Sequence, residues 1–184
     1  MKIIIITQNE PFYLYDNLKY LINIFPKHSN IVGCIVSDVS PFGKKESFFL
    51  KAKKTLQIFG LKFFLYYSYK FIRSKINYSK NIFKLLKENN IDNIKLHNPI
   101  NSKESVNLIK SYEPDLLISI LGNQIFKEQI FNLAPKGCIN LHTAKLPKYR
   151  GLMPSFWVLK NNEKETAVSV FFVDKGIDSG PIIV

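Results

Sequence analysis

The sequence has few cysteines, and its apolar runs are short. Cys34 and Cys138 are the two cysteines among 184 residues, and neither has a second cysteine or a histidine at metal-ligand spacing. We therefore expect two buried thiols, no metal site and a reducing, cytoplasmic location. The first apolar run, four isoleucines, ends at Thr7 and is too short for a signal peptide. No stretch reaches the roughly 18 uncharged apolar residues that a membrane-spanning helix requires, so we expect no integral membrane segment.

Glycine is absent from the first predicted strand-to-helix turn, Thr7 to Pro11. A dinucleotide-binding turn needs glycines, because a backbone without side chains can approach the pyrophosphate closely. The sequence therefore disfavours a dinucleotide-binding variant of the fold.

The overall composition is that of a folded globular protein, with 46% hydrophobic and 22% charged residues. At this length we expect one domain covering residues 1–184. Strand-like runs alternate with helical periodicities, as in parallel βαβ units. The predicted strands are Lys2–Thr7, Ile31–Ser37, Ile94–Leu96, Leu116–Ile120, Cys138–Leu141 and Val168–Phe172, and the predicted helices are Tyr13–Phe25, Ile82–Glu88, Val106–Ser111 and Gln124–Leu133. The sequence thus predicts an α/β fold with a doubly wound, mostly parallel sheet.

A basic and aromatic stretch interrupts this alternation at residues 43–80. It holds ten basic residues against a single acid, Glu46, with aromatic residues between them. We predict an amphipathic, helical insertion within the domain. Three interpretations of its basic face stay open: a solvated surface, contact with a phosphate-bearing substrate or nucleic acid, and contact with an anionic membrane surface.

The last residues of the chain, Ile182 to Val184, form an apolar run that resembles the beginning of another strand. We expect a strand-like segment there. A truncation of the sequence at this point stays an open interpretation.

The densest cluster of polar residues begins where a predicted strand ends. By strand alternation Asn140 and His142 point to the same side, at the sheet edge where doubly wound folds bind ligands. Downstream, Gly176 and Gly180 flank Asp178, which suggests a tight turn that presents the carboxylate. An imidazole can accept a proton from an amine, a carboxylate can fix its tautomer, and an amide can donate to an oxyanion. The three residues are candidates for acyl transfer to an amine, against the competing interpretation of structural caps and turn formers.

Several motifs at fixed spacing sharpen this interpretation. They are Asn140-x-His142, Leu146-Pro147-x-x-Arg150-Gly151, Pro154 with Trp157, and Gly176-x-Asp178-x-Gly180, with 36 positions from His142 to Asp178. The pattern resembles the signature of the formyltransferase family, which includes enzymes acting on glycinamide ribonucleotide, methionyl-tRNA and sugar nucleotides. The resemblance is sharp over residues 114–184 and limited to the strand-helix order before them. It implies the Rossmann-like formyltransferase domain.

The resemblance also implies the chemistry. It implies direct transfer of a formyl group from 10-formyltetrahydrofolate to a primary amine, with Asn140, His142 and Asp178 as catalytic residues and no metal. A folate pocket is implied at the end of one predicted strand. Its candidate residues are Leu117, Ile118, Ile120, Leu121 and Gly122, through their backbone, together with Leu146 and Pro147.

Two positions depart from many members of that family. Many have a Ser-Leu-Leu-Pro stretch after the histidine, whereas here Thr143 to Pro147 reads Thr-Ala-Lys-Leu-Pro, and the first turn carries Gln8 and Asn9 in place of a loop with Gly or Ser. We treat Gln8, Asn9, Lys148 and Arg150 as candidate acceptor-binding residues. The two cations would also suit the glutamate tail of folate, and a structural role for Arg150 stays open.

The acceptor that we favour is the amine of an amino sugar nucleotide. Methionyl-tRNA is an alternative that suits the positive charge, whereas glycinamide ribonucleotide suits a long basic, aromatic insertion poorly. An alternative from another class is a non-catalytic domain that holds folate or a nucleotide, or docks a partner through residues 43–80. The sequence does not indicate which oligomeric state the protein has.

Overall fold

The computed structural model describes residues 1–39, 47–76, 80–122 and 124–184. Its single six-stranded sheet is built from β1 (Lys2–Gln8), β2 (Asn30–Ser37), β3 (Asp92–Asn93), β4 (Leu116–Ile120), β5 (Cys138–His142) and β6 (Ser169–Phe172). The strand order is β3-β2-β1-β4-β5-β6, with β6 antiparallel to β5 and every other pair parallel. The predicted α/β fold with a mostly parallel sheet is confirmed.

The described residues form six helices: α1 (Leu14–Ile24), α2 (Phe48–Ile76), α3 (Ile82–Glu88), α4 (Lys103–Lys110), α5 (Glu128–Phe131) and α6 (Pro154–Lys160). Of these, α1 and α3 pack on one face of the sheet and α4 and α5 on the other. Alternate isoleucines of β1 supply the two cores: Ile4 lies in the cluster that includes Ile109 of α4, and Ile5 lies in the cluster with Leu18 of α1 and Leu86 of α3. A strand buried on both faces needs no polar alternation, which explains its unbroken apolar run.

Both cysteines lie in these cores, as predicted. Cys34 and Cys138 are fully buried free thiols. Burial raises the pKa of each to about 12, because the charged thiolate would lose its solvation. Neither thiol is suited to nucleophilic chemistry near neutral pH.

The third strand was placed wrongly by the sequence prediction. It covers Asp92–Asn93 and not Ile94–Leu96. Its partner is β2, through Gly33 and Cys34, and the backbone N–H of Ile94 still donates to the carbonyl oxygen of Cys34 at 2.9 Å before the chain leaves the sheet. The apolar residues Ile94 and Leu96 are therefore buried or half-buried just after the strand and do not form it.

The predicted helix Gln124–Leu133 is wrong in extent, because α5 covers Glu128–Phe131 alone. Asn101 takes the place of helical hydrogen bonds upstream: its side chain accepts from the backbone N–H of Lys127 at 2.8 Å and donates to the carbonyl of Ile125 at 2.8 Å. The side chain of Asn101 therefore holds the residues just before α5 in an extended conformation.

Helix α2 lies within the basic, aromatic stretch; residues 43–46 and 77–79 of that stretch lie outside the described residues. Gly60 has φ +78° and ψ 172°, which breaks α2 into helical segments 48–59 and 61–76. Phe48 lies close to Phe71, with ring centroids 6.1 Å apart, so the segments fold back on each other. None of the described side chains of α2 is buried. Among the described residues no helix is long and apolar enough to cross a bilayer.

The C-terminal residues pair with β6. The backbone N–H of Ile183 donates to the carbonyl of Val170 at 2.7 Å, and the N–H of Val170 donates to the carbonyl of Val184 at 2.6 Å. An isolated antiparallel bridge joins Phe171 to Ile182. The expected strand-like segment is thus present.

Candidate active site

The strand order reverses between β1 and β4, which is where doubly wound sheets open a crevice for ligands. The candidate residues from the sequence lie at or beside the carboxyl ends of β1, β4 and β5. His142 is the last residue of β5, and Asn140 lies two positions earlier on the same side. In the sheet Asn140 is opposite Ser119 of β4 and Phe171 of β6.

The structure brings His142 and Asp178 together. The Nδ1 atom of His142 lies 3.3 Å from Oδ2 of Asp178, and His142 is buried while Asp178 is nearly so. The same Oδ2 accepts a hydrogen bond from the backbone N–H of Gly151 at 2.8 Å. The carboxylate therefore joins the strand-end histidine to the loop that follows it, in the orienting position that a catalytic base requires.

The turn that carries Asp178 is held by its own polar residues. Asp174 accepts from the Ser179 hydroxyl at 2.7 Å and from the Gly176 N–H at 2.9 Å, and these bonds lower the pKa of its carboxyl. The left-handed residue in the turn is Asp178 itself, with φ +48°, whereas neither flanking glycine has a positive φ. A Cβ at Gly180 would overlap the carbonyl group of Phe172. The glycines therefore permit close approach, and the aspartate takes the unusual backbone conformation.

Tyr149 is a site residue that sequence reasoning missed. Its backbone carbonyl lies 2.8 Å from Nε2 of His142, and its hydroxyl donates to Glu163 at 2.6 Å. Both ring nitrogens of His142 thus face oxygen atoms, Nδ1 that of the Asp178 carboxylate and Nε2 that of the Tyr149 carbonyl. An amine that uses Nε2 has to displace this carbonyl. A backbone contact made by a tyrosine with φ +56° leaves no residue pattern that could have signalled it.

Ser169 is a second residue that the sequence did not single out. It is buried, lies opposite His142 in the β5–β6 pairing, and its hydroxyl donates to the carbonyl of Ala144 at 2.9 Å. The same hydroxyl accepts from the N–H of Leu146 at 3.2 Å. One side chain thereby fixes the backbone that leaves β5 just before the cis Leu146–Pro147 bond.

The side-chain oxygen of Asn140 is buried and, within the described part of the chain, has no hydrogen-bond partner. Leaving a buried acceptor unpaired costs about 1–3 kcal/mol, so such a group is expected to meet a donor from a ligand. An amide offers one acceptor and two donors. Asn140 therefore offers a buried acceptor to a donor such as an amine at this point.

The folate candidates on β4 fall into two groups. Leu117 is wholly buried in the core and pairs with Cys138, which leaves its backbone as the part that could contact a ligand. Ile118 and Ile120 are partly exposed, and Leu121, with φ +58°, turns the chain out of the sheet towards Gly122. A Cβ at Gly122 would lie 2.5 Å from the Ser119 hydroxyl oxygen.

The folate candidates in the loop after β5 also divide. Leu146 is buried and Pro147 is exposed beside it. Residues 120–122 and this loop follow adjacent strands, so the structure brings both sets to one sheet edge.

The first turn lines a separate cleft of about 250 Å³. Gln8 ends β1, and Asn9 lines the cleft together with Lys75 and Lys80. The Glu10 carboxylate accepts from the N–H groups of three residues at the start of α1, Phe12, Tyr13 and Leu14. The position where a helix N-terminus would bind an anion is thus filled by the chain's own carboxylate.

The two cationic candidates lie on the loop after β5. Lys148 is exposed and lies 3.6 Å from Glu163, whose carboxyl pKa is lowered first by the Tyr149 hydroxyl and then by this lysine. Arg150 is exposed, and its charge contributes to the lowered pKa of Asp174. In the described ranges no group of three or more His, Cys, Asp or Glu side chains could hold a metal ion.

The sheet, with His142 at the end of β5 and Asp178 beside it, defines a doubly wound α/β protein with a histidine-carboxylate site. A family model described as formyl transferase matches residues 71–184. The chain belongs to the formyl transferase family. It is 43% identical over 83 residues to a methionyl-tRNA formyltransferase from Kosmotoga olearia, a match that covers 45% of this chain and 27% of that protein. A methionyl-tRNA formyltransferase from Dictyoglomus thermophilum is 47% identical over 79 residues, or 43% of this chain and 25% of that protein.

Solved structures show the same fold over the whole chain. A phosphoribosylglycinamide formyltransferase from Anaplasma phagocytophilum matches with a TM-score of 0.66 and 15% identity, covering 100% of this chain and 70% of that one. A 4-N formyltransferase from Francisella tularensis matches with a TM-score of 0.54 and 18% identity, covering 100% of this chain and 54% of that one. The matches to the curated relatives extend over about a quarter of their length.

Proposed function

We propose that this protein transfers a formyl group from 10-formyltetrahydrofolate to a primary amine. The observation that carries the proposal is the contact between His142 and Asp178, 3.3 Å apart, beside the unpaired buried oxygen of Asn140. Membership of the formyl transferase family supports it. In this proposal residues 120–122 and Leu146–Pro147 hold the folate ring at the shared sheet edge.

Each of the three polar residues has a chemical task in the transfer. The amine nitrogen attacks the formyl carbon, a new C–N bond forms, and the bond from that carbon to N10 of the folate breaks. His142 accepts the proton that the amine loses and gives it to N10 as that nitrogen leaves. Asp178 orients the imidazole and balances its charge, while Asn140 donates from its amide to the oxyanion that develops on the formyl oxygen.

For the acceptor we propose the amine of an amino sugar nucleotide. The cleft beside Asn9, at about 250 Å³, can take part of such a molecule, and it is lined by Lys75 and by Lys80, which also pairs with Asp16. Neighbouring strands lie about 4.8 Å apart, so the ends of β1 and β5, with β4 between them, lie about 10 Å apart. A nucleotide held at the cleft can therefore extend its sugar towards His142.

Methionyl-tRNA is the second candidate acceptor, because the similar curated proteins are named methionyl-tRNA formyltransferases. The basic surface of α2, with seven Lys or Arg residues and no acid, would suit a polyanion. Binding to tRNA would then depend steeply on salt, whereas binding of a small nucleotide in the cleft would depend on it weakly.

The test is a formyl-transfer assay that follows the absorbance change as 10-formyltetrahydrofolate is converted. The purified protein is given a panel of 3-amino and 4-amino sugar nucleotides and, in parallel, methionyl-tRNA. We expect turnover with a sugar nucleotide. The variant His142→Ala should lose about 10²- to 10⁴-fold in turnover while it keeps folate binding. His97→Ala is the matched control, since His97 is exposed in the loop after β3.

The outcomes separate the alternatives. Turnover with methionyl-tRNA alone would replace the sugar acceptor by tRNA. Folate binding without turnover of any acceptor would indicate a non-catalytic domain. Near-normal turnover by His142→Ala would contradict the proposed mechanism even if a formyl acceptor is found.

A further inference from the structure

A row of exposed apolar side chains runs along the second segment of α2. We call it the apolar stripe; it consists of Leu61, Leu65, Tyr69, Ile72 and Ile76. Their spacing of four, four, three and four residues places them on one helical face. Each is between 58% and 69% exposed. A face of this kind normally packs against a core, so its exposure requires an explanation.

The opposite side of the same segment contacts the rest of the protein. The ring of Tyr67 meets Phe12 edge-on with ring centroids 5.2 Å apart, and Lys70 Nζ lies 5.2 Å from the centre of the Phe12 ring. At about 100° per residue, Tyr67 and Lys70 lie across the helix from the stripe. The stripe therefore faces away from the sheet.

The charge around the stripe has one sign. Residues 48–76 hold seven basic residues and no acidic one. On the helical wheel Lys62 and Arg73 border one edge of the stripe and Lys75 borders the other. Apolar residues bordered by cations on both sides are the arrangement of a helix that lies in the interface of an anionic membrane.

Other occupants fit this surface less well. A second copy of the chain would bring two acid-free basic helices together, and like charges repel. A nucleic acid would pair with the cations and stack on aromatic rings, but the stripe is four-fifths aliphatic and offers one ring, Tyr69. Aliphatic side chains gain free energy by entering an apolar phase.

We propose that the apolar stripe of α2 docks the protein on an anionic lipid bilayer, with the helix parallel to the membrane plane. Segment 61–76 is about 24 Å long at 1.5 Å per residue, enough for four turns in the headgroup region. The aliphatic residues enter the acyl boundary, and Lys62, Arg73 and Lys75 contact anionic headgroups. The stripe shares its bordering residue Lys75 with the cleft beside Asn9 and otherwise lies outside the candidate active site, and the proposal holds whichever acceptor is used.

The test is co-sedimentation of the purified protein with vesicles of phosphatidylcholine, either alone or with about 30 mol% phosphatidylglycerol. We expect clear binding to the anionic vesicles, weak binding to the neutral ones, and a decrease as salt rises. The double variant Leu65→Glu with Ile72→Glu should bind at least about tenfold more weakly, because it puts two charges in the apolar contact.

A matched control introduces the same two charges elsewhere. Tyr20 and Ile24 of α1 are 67% and 57% exposed, so Tyr20→Glu with Ile24→Glu changes net charge and exposed apolar area by similar amounts. This control should bind anionic vesicles nearly as well as the unchanged protein. Circular dichroism and thermal unfolding establish that both variants are folded.

Three results would overturn the proposal. The first is an equal loss of vesicle binding in the two double variants, which would show that the loss comes from the change in net charge alone. The second is a lipid-free dimer, seen by sedimentation velocity, that the stripe variant abolishes. The third is stripe-dependent binding to RNA with no binding to anionic vesicles, which would assign the surface to nucleic acid.

Discussion

The two segments of α2, residues 48–76, form a hairpin, and it is held by different kinds of contact from the loop region around His142. In the loop region, residues 142–180, polar contacts fix individual atoms: Asp178 joins His142 to Gly151, and Ser169 bridges two backbone groups. The hairpin makes contact through aromatic rings and through lysines that include Lys51 and Lys70, with no buried side chain among its described residues. A site for chemistry requires fixed atoms, whereas a surface for docking requires only a pattern of side chains.

The largest effect should come from Asp178→Asn, which keeps the shape of the side chain and removes its charge. Formyl transfer should fall by about 10²- to 10⁴-fold, because His142 loses the group that orients it. Single-turnover kinetics, with folate binding as a second readout, measure the loss. Asp174→Asn is the matched control in the same turn, and it should cost less than about tenfold since Asp174 contacts the turn alone. Equal losses would make Asp178 a turn former.

A second comparison sets two glycines against each other. Gly180→Ala should lower the free energy of unfolding by about 3 kcal/mol, because the added methyl group meets the carbonyl of Phe172. At Gly60 nothing lies within 4 Å of the added carbon, so the cost of Gly60→Ala is the backbone strain of an alanine at φ +78°. We expect it to lower the free energy of unfolding by about 1 kcal/mol. Urea denaturation measures both. A larger loss at Gly60 would show that the hairpin is as tightly constrained as the site.

Ser169→Ala tests how the loop after β5 is held. It removes a hydroxyl that is buried between Ala144 and Leu146, and it should cost about 1–3 kcal/mol of stability. Turnover should fall as well, with KM for folate rising, if the loop positions the folate. Ser111→Ala, which removes an exposed hydroxyl bonded to Leu108, should stay within about 0.5 kcal/mol. Lost stability without any kinetic change would confine Ser169 to a folding role.

The sequence predicted the parts of the molecule that depend on local pattern. The isoleucine run of β1 and the helix Ile82–Glu88 were found, because buried strands and amphipathic helices have their own periodicity. The third strand and α5 were misplaced, since a two-residue pairing with β2 and the bonds from Asn101 are contacts between distant segments. Such contacts have no local signature.

The candidate site divides in the same way. Asn140, His142 and Asp178 were recognised by a motif, and the structure brings His142 and Asp178 into contact. Their catalytic roles stay a prediction. The contribution of Tyr149 could not be predicted, because it acts through a backbone carbonyl that every residue possesses. Ser169 looks like any serine in a strand until β6 is placed beside β5.

The smallest effect should come from the contact between the hairpin and the body of the protein. Phe12→Leu removes one ring from the edge-on pair with Tyr67 and should change global stability by about 1 kcal/mol or less. Limited proteolysis should nevertheless cut residues 48–76 faster, because local opening depends on this contact while global unfolding depends on the two cores. Tyr20→Leu, an exposed position on α1, should leave the cutting rate unchanged. If Phe12→Leu unfolds the whole protein with the hairpin, the two regions form one cooperative unit, and docking through α2 would then be coupled to the active site.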